Sequence, residues 1–140
     1  MAGESPRDEN GEREGGRANA GAGANAPADG REPECRAPVA ILETTYPDED
    51  SALKAARELL EAKAAACVSL GPAHRSLYLD EGKIADEREV TLRAKTAAHR
   101  ADAAAAIILR SHPYRIPQLL RLGADASDRY LDWMRQELRG

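Results

Sequence analysis

Val, Ile, Leu, Phe, Tyr and Trp are all missing from residues 1–37 of this 140-residue chain. The same stretch holds seven of the eleven glycines. Without large apolar side chains it cannot bury enough surface to offset the entropy lost on ordering, so a disordered N-terminal tail is expected there. Long hydrophobic runs are missing as well. No stretch reaches the roughly 18 apolar residues that read as a membrane-spanning helix, so no membrane span is expected. No apolar segment of signal-peptide type follows Met1, so secretion is not expected either. Cysteine is scarce: Cys35 and Cys67 form no C-x-x-C pair and no disulfide framework. A reducing, cytoplasmic setting is the expectation. A basic stripe is also lacking, because residues 38–140 carry sixteen acids against fifteen bases. Nothing there would release counterions from DNA or RNA, so no nucleic-acid partner is expected.

What remains, residues 38–140, is long enough to bury one core. Val39-Ala40-Ile41-Leu42 reads as a short central strand. Pro47-Asp48-Glu49-Asp50-Ser51 stops that strand and starts a helix, since its acids can cap free N–H groups and suit the positive end of the dipole. Leu53, Ala56, Leu60 and Ala64 recur at helical spacing as the expected buried stripe, with Lys63 in the expected last turn. Cys67-Val68-Ser69-Leu70 returns to a strand. Gly71-Pro72 bends or interrupts it, because proline cannot donate to a ladder, and Ser76-Leu77-Tyr78-Leu79 continues it. Asp80-Glu81-Gly82-Lys83 predicts a hairpin turn with positive φ at Gly82. Val90, Leu92 and Ala94 then alternate with Thr91, Arg93 and Lys95, giving a strand with one buried face. A second helix is expected over residues 98–110, closed by His112-Pro113. Residues 118–122 read as the last strand. A final helix from Ser127 places Tyr130, Met134 and Leu138 on one stripe, with Trp133 beside it.

This order of elements predicts an α+β ferredoxin-like split β-α-β sandwich with an extra C-terminal helix. Both main helices fall on one sheet face. The other face is left bare, which predicts an oligomer.

Several ordered motifs are also present: Ala65-Ala66-Cys67-Val68, Ser76-Leu77-Tyr78, Glu81-Gly82-Lys83-Ile84, Lys95-Thr96, His112-Pro113-Tyr114 with Pro117, and Tyr130-Leu131 with Trp133. With Pro47-Asp48-Glu49 they resemble the CutA divalent-cation-tolerance family over nearly all of residues 39–138. The resemblance implies a PII-like, ferredoxin-like fold and a tight homotrimer. It also implies tolerance to divalent cations, copper above all, while some animal relatives are associated with anchoring acetylcholinesterase at membranes. Three positions depart from the family pattern. Asp80 stands where a Trp is frequent, Thr44 near a Cys proposed as a copper ligand in some bacterial members, and Gln118 where an acid is common.

The candidate metal ligands are His112 and Cys67, for Cu(II) or another divalent cation, with no cofactor required. Against each stands a structural role: His112 as the cap of the second helix, Cys67 as a small apolar side chain in a strand. Tyr78, Lys83 and Tyr114 are polar-tipped residues beside turns that could line clefts between subunits, where PII-like proteins bind small ligands. An anionic ligand of this kind is expected near Lys83 and Arg75. Enzymatic activity is not expected. Neither a catalytic Ser/His/Asp set nor paired carboxylates in a recognisable setting occur, and Thr44-Thr45-Tyr46-Pro47 lacks the arginine and anion-cradling loop of an acylphosphatase.

Overall fold

A computed structural model describes residues 37–139; the expected tail falls outside the described residues, apart from Ala37. Four antiparallel strands form one sheet in the order β2-β3-β1-β4. Strand β1 (Val39–Tyr46) lies at the centre, between β3 (Lys83–Ala97) and β4 (Leu120–Ala124). It runs four residues past the expected apolar tetrad, because Glu43, Thr44, Thr45 and Tyr46 stay paired to Arg93, Leu92, Thr91 and Val90 of β3. Strand β4 is shifted by two residues from its expected place, as its ladder begins where Leu120 meets Glu43.

Helix α1 (Glu49–Glu61) starts where Asp48 accepts the Ser51 N–H at 2.7 Å. That hydrogen bond lowers the Asp48 pKa, so the cap is a carboxylate. Of the expected buried stripe, Ala56 and Ala64 are buried but the two leucines are not. Ala52, Ala55, Ala56 and Leu59 pack inward, while Leu53 and Leu60 are exposed. Lys63 also lies past the helix rather than in its last turn. It takes a positive φ, and its ammonium donates to the Glu137 carbonyl at 3.2 Å.

Strand β2 (Cys67–Asp80) is continuous apart from a register shift between Leu70 and Ala73. There Gly71 and Pro72 face Thr91 alone, a β-bulge of the expected kind. The hairpin turn has positive φ at both Glu81 and Gly82, matching the type I′ twist that two-residue loops favour. A 3-10 turn (Ala98–Arg100) leads into α2 (Ala101–Ser111), and His112 ends it in an extended conformation before Pro113. Helix α3 (Asp128–Glu137) is capped by Ser127, whose hydroxyl accepts the Tyr130 N–H.

Both main helices lie on one face of the sheet. Leu42, Tyr46, Val90, Leu92 and Ala94 point toward them and pack with Leu59, Ile107 and Ile108 in one core. Side chains on the opposite face alternate with these. At the Val39 end that face is covered by α3, whose Met134 and Leu138 bury Val39 and Ala97 in a second, smaller core. Arg100 donates to the Leu138 carbonyl at 3.1 Å and Lys63 to that of Glu137, so two cations serve the negative end of α3. The rest of the second face holds Glu43, Ser69, Thr91, Arg93 and Lys95. Beyond Val90, the partner of Tyr46, β2 and β3 project as a two-stranded ribbon with no third strand among the described residues.

Candidate functional site

His112 stands where three segments meet. Its ring stacks on Tyr46 with centroids 4.5 Å apart and an interplanar angle of 21°, and it tilts against Tyr114 at 5.1 Å. A backbone carbonyl can only accept and a backbone N–H can only donate, which fixes the tautomer. Nε2–H donates to the Thr45 carbonyl at 2.9 Å, and Nδ1 accepts from the Tyr114 N–H at 3.1 Å. The buried Thr44 hydroxyl lies 3.1 Å from the same Nε2. Burial lowers the His112 pKa, opposed by the Thr45 hydrogen bond and the charge of Glu89, so the neutral ring is favoured. Thr44, the position compared above with a cysteine, is therefore in contact with His112, whereas Gln118 is exposed further along the loop.

Beside this joint sits a carboxylate that the sequence reading missed. Glu89 is 7% exposed and accepts the Tyr114 hydroxyl at 2.8 Å. Burial raises the Tyr114 pKa first, and Glu89 raises it further. Tyr78 is brought to the same acids, its pKa raised by desolvation and then by Glu87. Two of the three expected cleft residues, Tyr78 and Tyr114, thus share one acidic neighbourhood. Lys83 does not join them; it stands at the ribbon tip opposite Asp80. Arg75, expected beside Lys83 at an anion, is bonded instead to the Asp86 carboxylate through Nε and Nη2. Period-two alternation marks Glu89 only as facing away from the helices. Its burial comes from Tyr114, far along the chain, and no local pattern reports that.

Cys67 is half-buried at the start of β2, opposite Lys95. Its neighbour across the small core is Tyr130, whose pKa is raised by burial and then by the Cys67 charge. Cys67 and His112 lie in different clusters. Among the described residues, no three His, Cys, Asp or Glu side chains converge as metal ligands do. Two clefts flank the Gly71-Pro72 bulge. One, of about 520 Å³, lies between it and Pro47-Asp48-Glu49, with Arg88 and Glu89. The other, of about 360 Å³, is lined by Ser69, His74, Thr91 and Arg93.

The family model for the CutA1 divalent ion tolerance protein matches residues 40–137. The chain belongs to this family. The CutA divalent-cation tolerance protein of Pectobacterium atrosepticum is 39% identical over 108 residues, covering 76% of this chain and 96% of the relative. The protein of the same name from Yersinia pestis is 42% identical over 99 residues, covering 70% and 83%. Among solved structures, CutA from Synechococcus elongatus superposes with a TM-score of 0.69 at 36% identity, over 74% of this chain and 92% of that one. CutA1 from Ehrlichia chaffeensis gives 0.70 at 26% identity, over 73% and 96%. The CutA family fold is thus the ferredoxin-like sandwich read from the order of elements. Among the described residues, no helix is long and apolar enough to cross a membrane.

Proposed function

We propose that this CutA-family chain acts as a non-enzymatic homotrimer in divalent-cation tolerance, in the cytoplasm. The observation that carries the assembly is the projecting ribbon. Leu77, Leu79 and Ile84 on it are 64%, 75% and 74% exposed, and Ile116, Leu120 and Leu122 add apolar surface near the β4 edge. Isolated two-stranded ribbons are marginal in water, and apolar surface of this kind favours a covering partner. A second and third copy of the chain supply that cover.

Direct metal contact is a weaker part of the same proposal. A divalent ion such as Cu(II) at His112 must take Nε2 from the Thr45 carbonyl or Nδ1 from the Tyr114 N–H. With Thr44 rather than a thiol beside the ring, little is present to repay that exchange. Cys67 supplies a thiol elsewhere, and metal bound there would be independent of His112. Light scattering after size exclusion, with and without Cu(II), tests the assembly, and calorimetric titration of wild type, His112→Ala and Cys67→Ser with Cu(II) tests the ligands. A stable monomer at micromolar concentration would refute the trimer. Equal Cu(II) binding by all three proteins would remove both residues from the metal site.

A second reading is a PII-like role in which a small molecule is held at subunit clefts. It is favoured by the meeting of Tyr78 and Tyr114 at Glu87 and Glu89, near the cleft of about 520 Å³. This acidic setting suits a cationic or hydrogen-bond-donating ligand. Thermal shift against a panel of small organic cations and nucleotides, at one fixed chain concentration and without metal, tests this reading: a concentration-dependent rise in melting point supports it, and no rise with any of them counts against it.

A further inference from the structure

We infer that the cleft of about 520 Å³ at the start of α1 binds a zwitterion with an apolar body, an α-amino acid with a hydrophobic side chain. The inference rests on the second reading above, in which a small molecule is held at a subunit cleft, and it names the class of ligand.

The fold of one chain makes the walls. Strand β1 leaves the sheet at Tyr46, the partner of Val90, and Pro47-Asp48-Glu49 carries the chain into α1. Facing that link, β2 bows out at the Gly71-Pro72 bulge. The gap between link and bulge is the cleft, and its volume falls within the roughly 300–1,000 Å³ of small-molecule sites. Arg88 and Val90 alternate in phase with Leu92, so they share the sheet face that meets the helices, and Ala73 pairs with Val90. The cleft therefore opens on the helix side of the sheet and not on the bare face. Leu77, Leu79 and Ile84 lie further out on this same side of the ribbon, so a copy of the chain that covers them borders the cleft.

The floor is apolar, made by Leu70, Pro72, Ala73 and Val90 with Pro47 across from them. Apolar surface alone does not choose among ligands; the charged groups do. Asp48 is already used, since its Oδ1 takes the Ser51 N–H at 2.7 Å as the cap of α1. Glu89 also lines the cleft, but it alternates to the other face and its carboxylate holds Tyr114. Arg88 and Glu49 remain. Both are exposed, and neither has an ion-pair partner among the described residues. One cation and one anion thus stand open beside an apolar floor. A simple anion would gain Arg88 and be repelled by Glu49, and a simple amine would meet the reverse. A zwitterion uses both. Its carboxylate fits the two parallel N–H donors of a guanidinium, its ammonium donates to the glutamate, and its side chain lies on the floor.

Calorimetric titration of the full chain with L-leucine and with L-phenylalanine, at one fixed chain concentration and without metal, tests this. Each is titrated beside its two truncated forms, the amine that lacks the carboxylate and the acid that lacks the ammonium. Saturable binding of at least one amino acid is expected, with each truncated form weaker by about tenfold or more, the loss of one charge-assisted contact. Arg88→Gln should bind the amino acid no better than its amine, and Glu49→Gln no better than its acid. Loss of fold cannot produce this crossed pattern, because it weakens every ligand alike. Wild-type affinity in both variants would overturn the inference, as would truncated forms that bind as well as the intact amino acid. Binding of an organic cation or a nucleotide but of no amino acid would overturn it while leaving the small-molecule reading in place. No binding by any of them would end both.

Discussion

Replacing His112 by alanine separates its structural role from any other. The variant loses the Nε2–H bond to the Thr45 carbonyl at 2.9 Å, the Tyr114 N–H bond to Nδ1 at 3.1 Å, and the stack on Tyr46 at 4.5 Å. Each neutral hydrogen bond contributes about 0.5–1.5 kcal/mol, and leaving a half-buried partner unsatisfied adds to the loss. An aromatic stack adds about 0.5–1.5 kcal/mol. Together these give an expected destabilisation of about 2–4 kcal/mol. Urea unfolding followed by circular dichroism, at one fixed chain concentration because assembly shifts apparent stability, measures it. The pH dependence supplies a second check. Burial depresses the folded pKa of His112 below its ordinary 6.5, so below that pH the unfolded chain binds more protons than the folded one. The histidine's contribution is therefore complete above pH 6.5 and is lost as the pH falls through the depressed folded value. The gap between wild type and His112→Ala should shrink between about pH 7.5 and about pH 5. A gap below about 0.5 kcal/mol at the higher pH, less than one hydrogen bond, would refute the structural role. So would a gap that widens in acid.

Met134→Ala should destabilise the fold by about 2–5 kcal/mol in the same unfolding assay, because Met134 is fully buried in the small core that seats α3. Gly82→Ala should cost about 1 kcal/mol through its φ of +79° alone, since nothing lies within 4 Å of the added methyl. The double substitution Leu77→Lys and Ile84→Lys should leave circular dichroism unchanged while light scattering shows the assembly falling apart; an intact assembly would place the interface elsewhere.

The sheet was legible wherever one face is buried over many residues. Strand β3 shows this best, because Val90, Leu92 and Ala94 meet the helices while Arg93 and Lys95 stay on the other side. In the α1 stripe Ala56 and Ala64 are buried as expected, and only the leucine positions Leu53 and Leu60 miss, for a physical reason. Ala52 and Leu59 share the same seven-residue spacing as Leu53 and Leu60, and alanines, which let the helix approach the sheet closely, do not announce which side is buried. The shift of β4 has a similar origin, as its pairing with β1 is a long-range choice that Gln118 and Leu119 do not encode locally. At the site, His112 was readable as a helix end because Pro113 follows it. Its partners were not. Thr45 lies 67 residues away, and Glu89 meets Tyr114 across 25.

Strand pairing links this fold to association more firmly than composition does. Strand β1 ends at Tyr46, so among the described residues the outer ribbon receives no hydrogen bonds from a third strand and no helix lies over Leu77, Leu79 or Ile84. Arg75 and Arg88 stand opposite each other there, a destabilising pair that Asp86 relieves by bonding Arg75. A ribbon so poorly supported within its own chain should be the least protected part of the sheet when isolated and should gain order as other copies cover it. Hydrogen exchange over residues 73–89 that slows as chain concentration rises, while residues 90–97 stay unchanged, would fit that coupling. Concentration-independent exchange in both segments would mean that the ribbon stands by itself, and the reason for expecting an assembly would be gone.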